Sequence, residues 1–226
     1  MKRVSMVIVA IVLGAAVFIS SCGPSSSTYA NYTLKSGIKQ WSSPPAMTID
    51  QNKQYTATIK TETTVEGKSV EFGDITVQLF PKEAPLAVNN FVFLARQGFY
   101  NGSAFHRIIK DFVIQGGDPF MTGAGGPGYK FDDDEPITRD YVPGTLAMAN
   151  SGPDTNGSQF FITLSNLSDR ANPHYLPKNW VIFGIVTGNF DAVQEIGNVD
   201  TTIGQDGLMS KPLNDVIIKT ITITEK

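Results

Sequence analysis

Polar and hydrophobic residues alternate along several short stretches of this chain. Three stretches alternate with a period of two, the pattern of half-buried β-strands: residues 54–61, 74–80 and 215–224. Four apolar runs bounded by Gly, Pro and Asn have the length of buried strands: residues 105–115, 145–149, 159–163 and 181–186. Glu66 to Lys68 lies between the first two strands and indicates a hairpin turn. The pattern therefore predicts a mainly β fold.

Two segments repeat instead with the period of a helix. Pro85 stands at a first helical turn, and one face of the following segment carries Val88, Phe91, Val92 and Ala95. Gly98 is placed to end this helix. Residues 189–196 form a second, shorter candidate. Many short strands with two helices predict a closed antiparallel barrel, because closure leaves no sheet edge exposed.

The start of the chain has the pattern of an export signal. A basic start precedes an uncharged apolar run from Met6 to Ile19, which is shorter than the roughly 20 residues of a membrane-spanning helix. The run leads into Ser20-Ser21-Cys22-Gly23, which resembles a bacterial lipobox. We expect residues 1–21 to be removed as a lipoprotein signal peptide. Cys22 would then carry the lipid that anchors the exported protein on the extracytoplasmic side of a membrane; a buried or incidental cysteine is the alternative.

Residues 22–51 are predicted to form a flexible, lipid-anchored tether. They are rich in Ser, Pro, Thr and Asn and show little apolar periodicity. Ile38 and Trp41 either dock on the domain or are incidental hydrophobes of a linker, and we favour the second interpretation. Residues 52–226 then form one domain, which contains no cysteine for a disulfide bond.

The composition disfavours several classes of function. A formal net charge of -3 lacks the basic surface of a nucleic-acid-binding protein. With two histidines and one cysteine the chain cannot assemble a structural zinc site, and we expect no metal and no cofactor. Residues 123–128 match a dinucleotide-binding glycine pattern, but Pro127 interrupts it, so a turn-rich loop is expected. The acidic residues 132–135 lack the spaced ligands of a calcium loop and are interpreted as a solvated turn.

Two longer segments carry most of the information about function. Residues 105–118, FHRIIKDFVIQGGD, and residues 146–162, LAMANSGPDTNGSQFFI, strongly resemble the two signature blocks of the cyclophilins, a family of peptidyl-prolyl cis-trans isomerases. The resemblance extends from about Tyr55 to Ile223. It implies a closed eight-stranded antiparallel barrel capped by two α-helices, and an enzyme that rotates Xaa-Pro bonds without a cofactor.

The chemistry of this reaction requires few groups. Rotation about the amide passes a twisted state with a barrier of about 18–20 kcal/mol. For a turnover of roughly 10–1,000 per second, the enzyme therefore needs to bind the twisted state only about 3–6 kcal/mol more strongly than the planar substrate. In the twisted state the prolyl nitrogen gains a lone pair, which a guanidinium can stabilise. Arg107 is our candidate for that group, with a surface ion pair as its alternative role, and the resemblance implies that Gln115 holds it in place.

The resemblance also implies which residues bind the substrate. It places the proline ring in a pocket formed by Phe112, Val113, Phe161 and Leu176. It adds the rest of the groove: Gly123, Ala149, the backbone of Asn150, Ser151, Gln159, Tyr175 and Trp180. Phe160 is expected in the core instead, because adjacent side chains on a strand face opposite ways. Tyr175 and Trp180 stand where the family commonly has Trp and His, so we expect weak cyclosporin binding.

Together with the export signal, these features predict a lipid-anchored isomerase that acts on proline-containing segments of exported or cell-envelope proteins. We expect it to be a monomer. Two alternatives stay open: a proline-binding or chaperone lipoprotein without turnover, and a structural lipoprotein that uses the barrel as a scaffold. The presence of both Arg107 and Gln115 favours the enzyme.

Overall fold

The computed structural model describes residues 37–226. The predicted signal peptide, the predicted lipidation site Cys22 and the first part of the predicted tether lie outside the described residues. Within them, none of the helices combines the length and the apolar character needed to cross a lipid bilayer.

The described chain is built mainly from strands, with two helices between them. The strands are β1 (Tyr55–Val65), β2 (Lys68–Leu79), β3 (Ser103–Ala104), β4 (Arg107–Ile109), β5 (Val113–Gly116), β6 (Thr145–Met148), β7 (Phe160–Thr163), β8 (Ile182–Gly188), β9 (Thr201–Ile203), β10 (Met209–Pro212) and β11 (Val216–Glu225). The helices are α1 (Pro85–Arg96) and α2 (Phe190–Gly197). The predicted mainly β fold with two helices is confirmed.

Nine strands form one curled antiparallel sheet, and the other two form a separate ribbon. The order in the sheet is β3-β11-β1-β2-β8-β6-β7-β5-β4, and the ribbon pairs β9 with β10. The sheet has one strand more than the eight expected, because β3 and β4 are separate strands with only Phe105 and His106 between them. These two consecutive strands form the two edges of the sheet. Closure into a complete barrel stays a prediction.

Tight turns set the register on both sides of the sheet. Residues Glu66 and Gly67 join β1 to β2 with φ angles of 50° and 77°, the left-handed pair that suits a two-residue hairpin. The apolar run 105–115 is not a single strand, because Asp111 has a φ of 60° and the chain reverses between β4 and β5. The reversal places Arg107 directly opposite Gln115.

Helix α1 is capped by a side chain from a distant loop. The Asp134 carboxylate accepts the backbone N–H groups of Leu86 at 3.0 Å and Ala87 at 2.8 Å, two of the donors that the first turn of a helix leaves without an intrahelical partner. Burial raises the pKa of Asp134, although both hydrogen bonds oppose the shift. The interpretation of residues 132–135 as a solvated turn is therefore wrong for Asp134, which is buried.

Two hydrophobic clusters take alternate residues from the same strands. The main core contains the strand residues Ile114, Leu146, Phe160 and Phe183 together with the inner face of α1. The second cluster contains their immediate neighbours Val113, Ala147, Phe161 and Ile182. Because successive side chains of a strand point to opposite faces, the central strands carry the core on one face and a second apolar surface on the other.

The segment before β1 packs on the domain. Ile38 and Trp41 lie against the main core, and Ile49 belongs to it. The Trp41 ring lies 5.2 Å from that of Phe93 and 5.8 Å from that of Phe99, measured between centroids. The structure thus has the docked arrangement of Ile38 and Trp41, and the favoured interpretation as incidental hydrophobes is wrong, because composition alone shows no partner for them. The domain boundary at residue 52 stays a prediction.

Candidate active site

Arg107 and Gln115 face each other across the β4–β5 pair. The Arg107 Nη1 donates a long hydrogen bond of 3.5 Å to Gln115 Oε1. The guanidinium carbon lies 5.8 Å from the centre of the Phe112 ring, a distance at which the cation is attracted to the aromatic face. The Arg107 side chain is 26% exposed. It therefore lies at the boundary between solvent and an apolar surface.

Arg107 also forms an ion pair, whose partner the sequence did not identify. Its Nε donates to Asp206 Oδ2 at 2.8 Å, and Asp206 lies in the turn between β9 and β10. Partial burial opposes ionisation of Asp206, but hydrogen bonds from Ser210, Arg107 and the Leu208 backbone outweigh it and lower the pKa of its carboxyl group. The ion pair, the alternative role of Arg107, is thus present, and it coexists with the contacts to Gln115 and Phe112.

A chain of amide hydrogen bonds connects Gln115 to the glycine-rich loop. Gln115 Nε2 donates to Gln159 Oε1 at 3.0 Å. Gln159 Nε2 in turn donates to the backbone oxygens of Gly123 at 3.0 Å and Gly125 at 2.9 Å. The three predicted residues Gln115, Gln159 and Gly123 are therefore brought together, and this chain of bonds fixes one wall of the site.

The glycine-rich loop is shaped by Asp118, whose role the sequence did not reveal. Its buried carboxylate accepts the backbone N–H groups of Phe120 at 2.8 Å, Thr122 at 2.8 Å and Gly125 at 3.1 Å. A side chain at Gly125 would collide with Asp118 Oδ1. The loop is therefore wound around one carboxylate. An Asp followed within a few residues by several glycines could have signalled this arrangement, because Asp side chains commonly bind nearby backbone N–H groups.

Six of the predicted pocket and groove residues meet in the second hydrophobic cluster. They are Phe112, Val113, Ala149, Phe161, Leu176 and Trp180. Val113 and Phe161 are buried, at 2% and 5% exposure, and the other four are partly exposed. The cluster therefore has a buried floor and an accessible rim, next to the guanidinium that lies over Phe112.

Tyr141 and His174 support this cluster and were not identified as site residues from the sequence. Tyr141 donates its hydroxyl hydrogen to the Trp180 backbone oxygen at 2.7 Å and accepts the Trp180 backbone N–H at 3.0 Å. Burial raises the pKa of Tyr141 to about 12, so its hydroxyl is neutral at physiological pH. The His174 ring stacks on Phe112 with centroids 4.9 Å apart and 17° between the planes. Neither residue lies in a sequence pattern that would have indicated these contacts.

Three of the predicted residues lie apart from the apolar cluster. The Asn150 side chain donates to Asn156 Oδ1 at 3.2 Å, and the exposed Ser151 donates its backbone N–H to Thr155 Oγ1 at 2.9 Å. Tyr175 lies beneath Arg170, whose guanidinium carbon is 5.2 Å from the Tyr175 ring centre. Asn150 and Ser151 directly follow Ala149 at the rim, whereas Tyr175 packs outside the cluster.

His106, next to Arg107 in the sequence, is a further titratable group near the site. Neither of its buried ring nitrogens has a hydrogen-bond partner among residues 37–226. Burial lowers the pKa of His106, and this effect outweighs the opposing influence of Asp118. Elsewhere in the same range, no three His, Cys, Asp or Glu side chains are grouped so that they could hold a metal ion.

Comparison with known proteins places this geometry in context. Residues 58–223 match the family model described as cyclophilin type peptidyl-prolyl cis-trans isomerase. A Bos taurus protein, peptidyl-prolyl cis-trans isomerase-like 1, is 47% identical over 150 residues, which cover 65% of this chain and 84% of the bovine protein. The crystal structure of a cyclophilin-type isomerase from Cryptosporidium parvum has a TM-score of 0.64 and 36% identity, and covers 76% of this chain and 99% of its own. A structure of that protein in the presence of the dipeptide Ala-Pro matches with a TM-score of 0.63 and 36% identity, over the same shares of the two chains.

Proposed function

This chain belongs to the family of cyclophilin-type peptidyl-prolyl cis-trans isomerases, and from this premise we propose that Arg107 is the group that stabilises the twisted prolyl amide. The chain is an enzyme of this type, so its reaction is rotation about an Xaa-Pro bond. The observation that carries the proposal is the position of one guanidinium beside an apolar cluster, 5.8 Å from the Phe112 ring.

The proposed mechanism is electrostatic and involves no covalent step. Resonance holds the Xaa-Pro amide planar, and the nitrogen becomes pyramidal and more basic as that resonance is lost. A hydrogen-bond donor placed at the nitrogen binds the twisted state more strongly than either planar isomer, which is the condition for catalysis. The Arg107 guanidinium supplies charged donors for this purpose. Gln115 orders the same region through its hydrogen bonds to Arg107 and Gln159.

The second cluster is the proposed binding surface for the proline ring. Phe112, Val113, Phe161 and Leu176 supply its apolar floor and rim, and the backbone after Ala149 is proposed to hold the peptide beside the rotating bond. These side chains suit a proline ring, because they form an apolar surface that a ligand can reach from solvent. The Cryptosporidium parvum relative crystallised in the presence of Ala-Pro supports a proline-containing peptide as the ligand class.

Replacement of Arg107 tests the mechanism. We expect Arg107→Ala to lower kcat/KM on an Ala-Pro peptide by about 100-fold, the effect of removing one transition-state donor. Exchange spectroscopy by NMR measures the rotation directly. Arg96→Ala is the control, because Arg96 is also an ion-paired arginine, bound to Glu225 at 2.7 Å, but it lies on α1 and is more exposed, at 46%. An Arg107→Ala enzyme within twofold of wild type would refute the proposed role.

We also propose that the enzyme acts outside the cytoplasm, on exported or cell-envelope proteins, from a lipid anchor at Cys22. The support is the apolar run that ends before Ser20-Ser21-Cys22-Gly23. In a bacterial host, the wild-type chain should fractionate with membranes and incorporate labelled palmitate. Cys22→Ser should do neither. A wild-type protein found unlabelled in the soluble fraction would contradict the anchor while leaving the enzymatic proposal intact.

Weak cyclosporin binding and a monomeric state complete the proposal. Tyr175 lies beneath Arg170 and outside the apolar cluster. This position supports weak cyclosporin binding, because Tyr175 would contact the inhibitor less on that side of the groove. Titration of cyclosporin against isomerase activity checks the first point, and inhibition as tight as in Trp-bearing family members would contradict it. Sedimentation analysis of the mature chain checks the second.

A further inference from the structure

The β9–β10 ribbon carries a side chain that holds the proposed catalytic arginine. We propose that Asp206 is a positioning residue for the isomerase reaction, because it fixes the plane and the direction of the Arg107 guanidinium. The inference rests on the proposed function of Arg107 and adds a second group on which that function depends.

The distances show which partner dominates the orientation of Arg107. The contact between Arg107 Nε and Asp206 Oδ2 is 2.8 Å long, within the range of charge-assisted hydrogen bonds. The contact between Arg107 Nη1 and Gln115 Oε1 is 3.5 Å, beyond the usual length of an N–H···O bond. Gln115 also directs its own amide nitrogen to Gln159. Asp206, rather than Gln115, therefore provides the firmer attachment.

Asp206 is itself held in place by contacts within the ribbon, independently of Arg107. Its Oδ1 accepts the Ser210 hydroxyl hydrogen at 2.6 Å and the Leu208 backbone N–H at 3.0 Å, which leaves Oδ2 directed at Arg107. A Cβ atom at Gly204 would collide with the Ser210 Oγ and lie 3.0 Å from Asp206 Oδ1. The turn of the ribbon is thus shaped around this carboxylate, and the carboxylate is pre-organised for its ion pair.

The ion pair could act in two opposite ways on catalysis. A fixed guanidinium keeps its Nη donors aligned with the prolyl nitrogen, and this favours turnover because catalytic groups act only in a narrow range of geometry. A neighbouring negative charge also weakens the positive potential that the substrate experiences. Because both side chains are about a quarter exposed, at 26% and 27%, solvent and salt screen the charge effect. The alignment effect depends on a direct hydrogen bond, so we expect it to dominate.

The test replaces Asp206 and measures chemistry and binding separately. We expect Asp206→Ala and Asp206→Asn to lower kcat by about three- to tenfold, the scale of one oriented hydrogen bond, with KM changed less than twofold. Asp206→Glu should recover part of the loss, because it restores the charge. Glu66→Gln removes the same charge from an exposed hairpin turn and is the control; its kinetics should match wild type. The urea midpoint of each variant shows whether a loss reflects unfolding.

A spectroscopic measurement reports on the arginine itself. The ¹⁵Nε–¹H signal of Arg107, assigned by its loss in Arg107→Ala, should exchange slowly with water in the wild type and rapidly in Asp206→Ala. A kcat equal to or above wild type in Asp206→Ala, or an unchanged Arg107 exchange rate, would overturn the inference. If instead Arg107→Ala retains full activity, the proposed function fails first, and the Asp206 inference fails with it. The two failures are therefore distinguishable.

Discussion

Replacing Phe160 by Leu should destabilise the protein without impairing its chemistry. Phe160 is fully buried in the main core. Its ring meets three others edge-on, with centroids 5.5 Å from Phe91, 5.7 Å from Tyr100 and 6.1 Å from Phe105. Each such pair contributes about 0.5–1.5 kcal/mol beyond the burial of area. Leu keeps most of the apolar contact but none of the ring geometry, so we expect a loss of about 2–4 kcal/mol from the free energy of unfolding.

Phe161→Leu provides the matched comparison, because it makes the same chemical change one residue further along β7. Phe161 has one aromatic neighbour, Tyr141, at 6.5 Å, so we expect a loss of about 1 kcal/mol or less. Its kcat/KM should fall by about tenfold, since its ring belongs to the proposed proline pocket.

Urea unfolding and NMR exchange on an Ala-Pro peptide at low temperature measure the two effects. Activity per folded molecule of Phe160→Leu should stay within twofold of wild type. Equal stability losses in the two variants, or the larger activity loss in Phe160→Leu, would refute the assignment of these two rings to different faces.

Two further predictions concern the docked segment and the buried imidazole. Trp41→Ala should lower the free energy of unfolding by about 1–3 kcal/mol, because two aromatic contacts are lost, and should spare activity; Trp180 remains as the fluorescence probe in urea titrations, and an unchanged midpoint would contradict the docking. Burial lowers the pKa of His106 below its unfolded value of 6.5, so the folded state favours the neutral ring. Stability should therefore fall as pH drops below 6.5, by up to about 1.4 kcal/mol per pH unit. His106→Gln should flatten this slope in urea titrations at pH 7.5 and 5.5, and parallel pH profiles would contradict the assignment.

The sequence predicted the elements of this fold well, because alternate residues of the strands face the main core and the opposite side of the sheet. The pair Phe160 and Phe161 shows why: period-two geometry assigns neighbouring side chains to opposite faces without any tertiary information. The same alternation in β5 puts Val113 in the second cluster and Ile114 in the core. Alternation therefore accounts for Val113 and Phe161 in the proposed pocket. Phe112, Leu176 and Trp180 lie outside the strands, and only the family resemblance implies them.

Contacts between residues far apart in the sequence could not be predicted in this way. Asp206 follows Arg107 by 99 residues, and nothing in its local pattern distinguishes it from other surface carboxylates. Asp134 lies in an acidic run that resembles a solvated turn, yet it caps a helix that begins at Pro85. Trp41 stands in a segment with the composition of a linker and finds its aromatic partners on the folded domain. In each case the partner is chosen by tertiary packing, which leaves no periodic signal.

The interior position of β1 in the sheet has a consequence for how the chain folds. β1 pairs on one side with β2, which follows it at once, and on the other side with β11, which ends at Glu225. Half of its hydrogen-bonding capacity thus depends on a strand that begins only at Val216. Pairing across so long a stretch of chain slows folding, because the entropy of loop closure is lost before the stabilising contacts form. The sheet of this enzyme is therefore complete only once β11 has been made and has paired with β1.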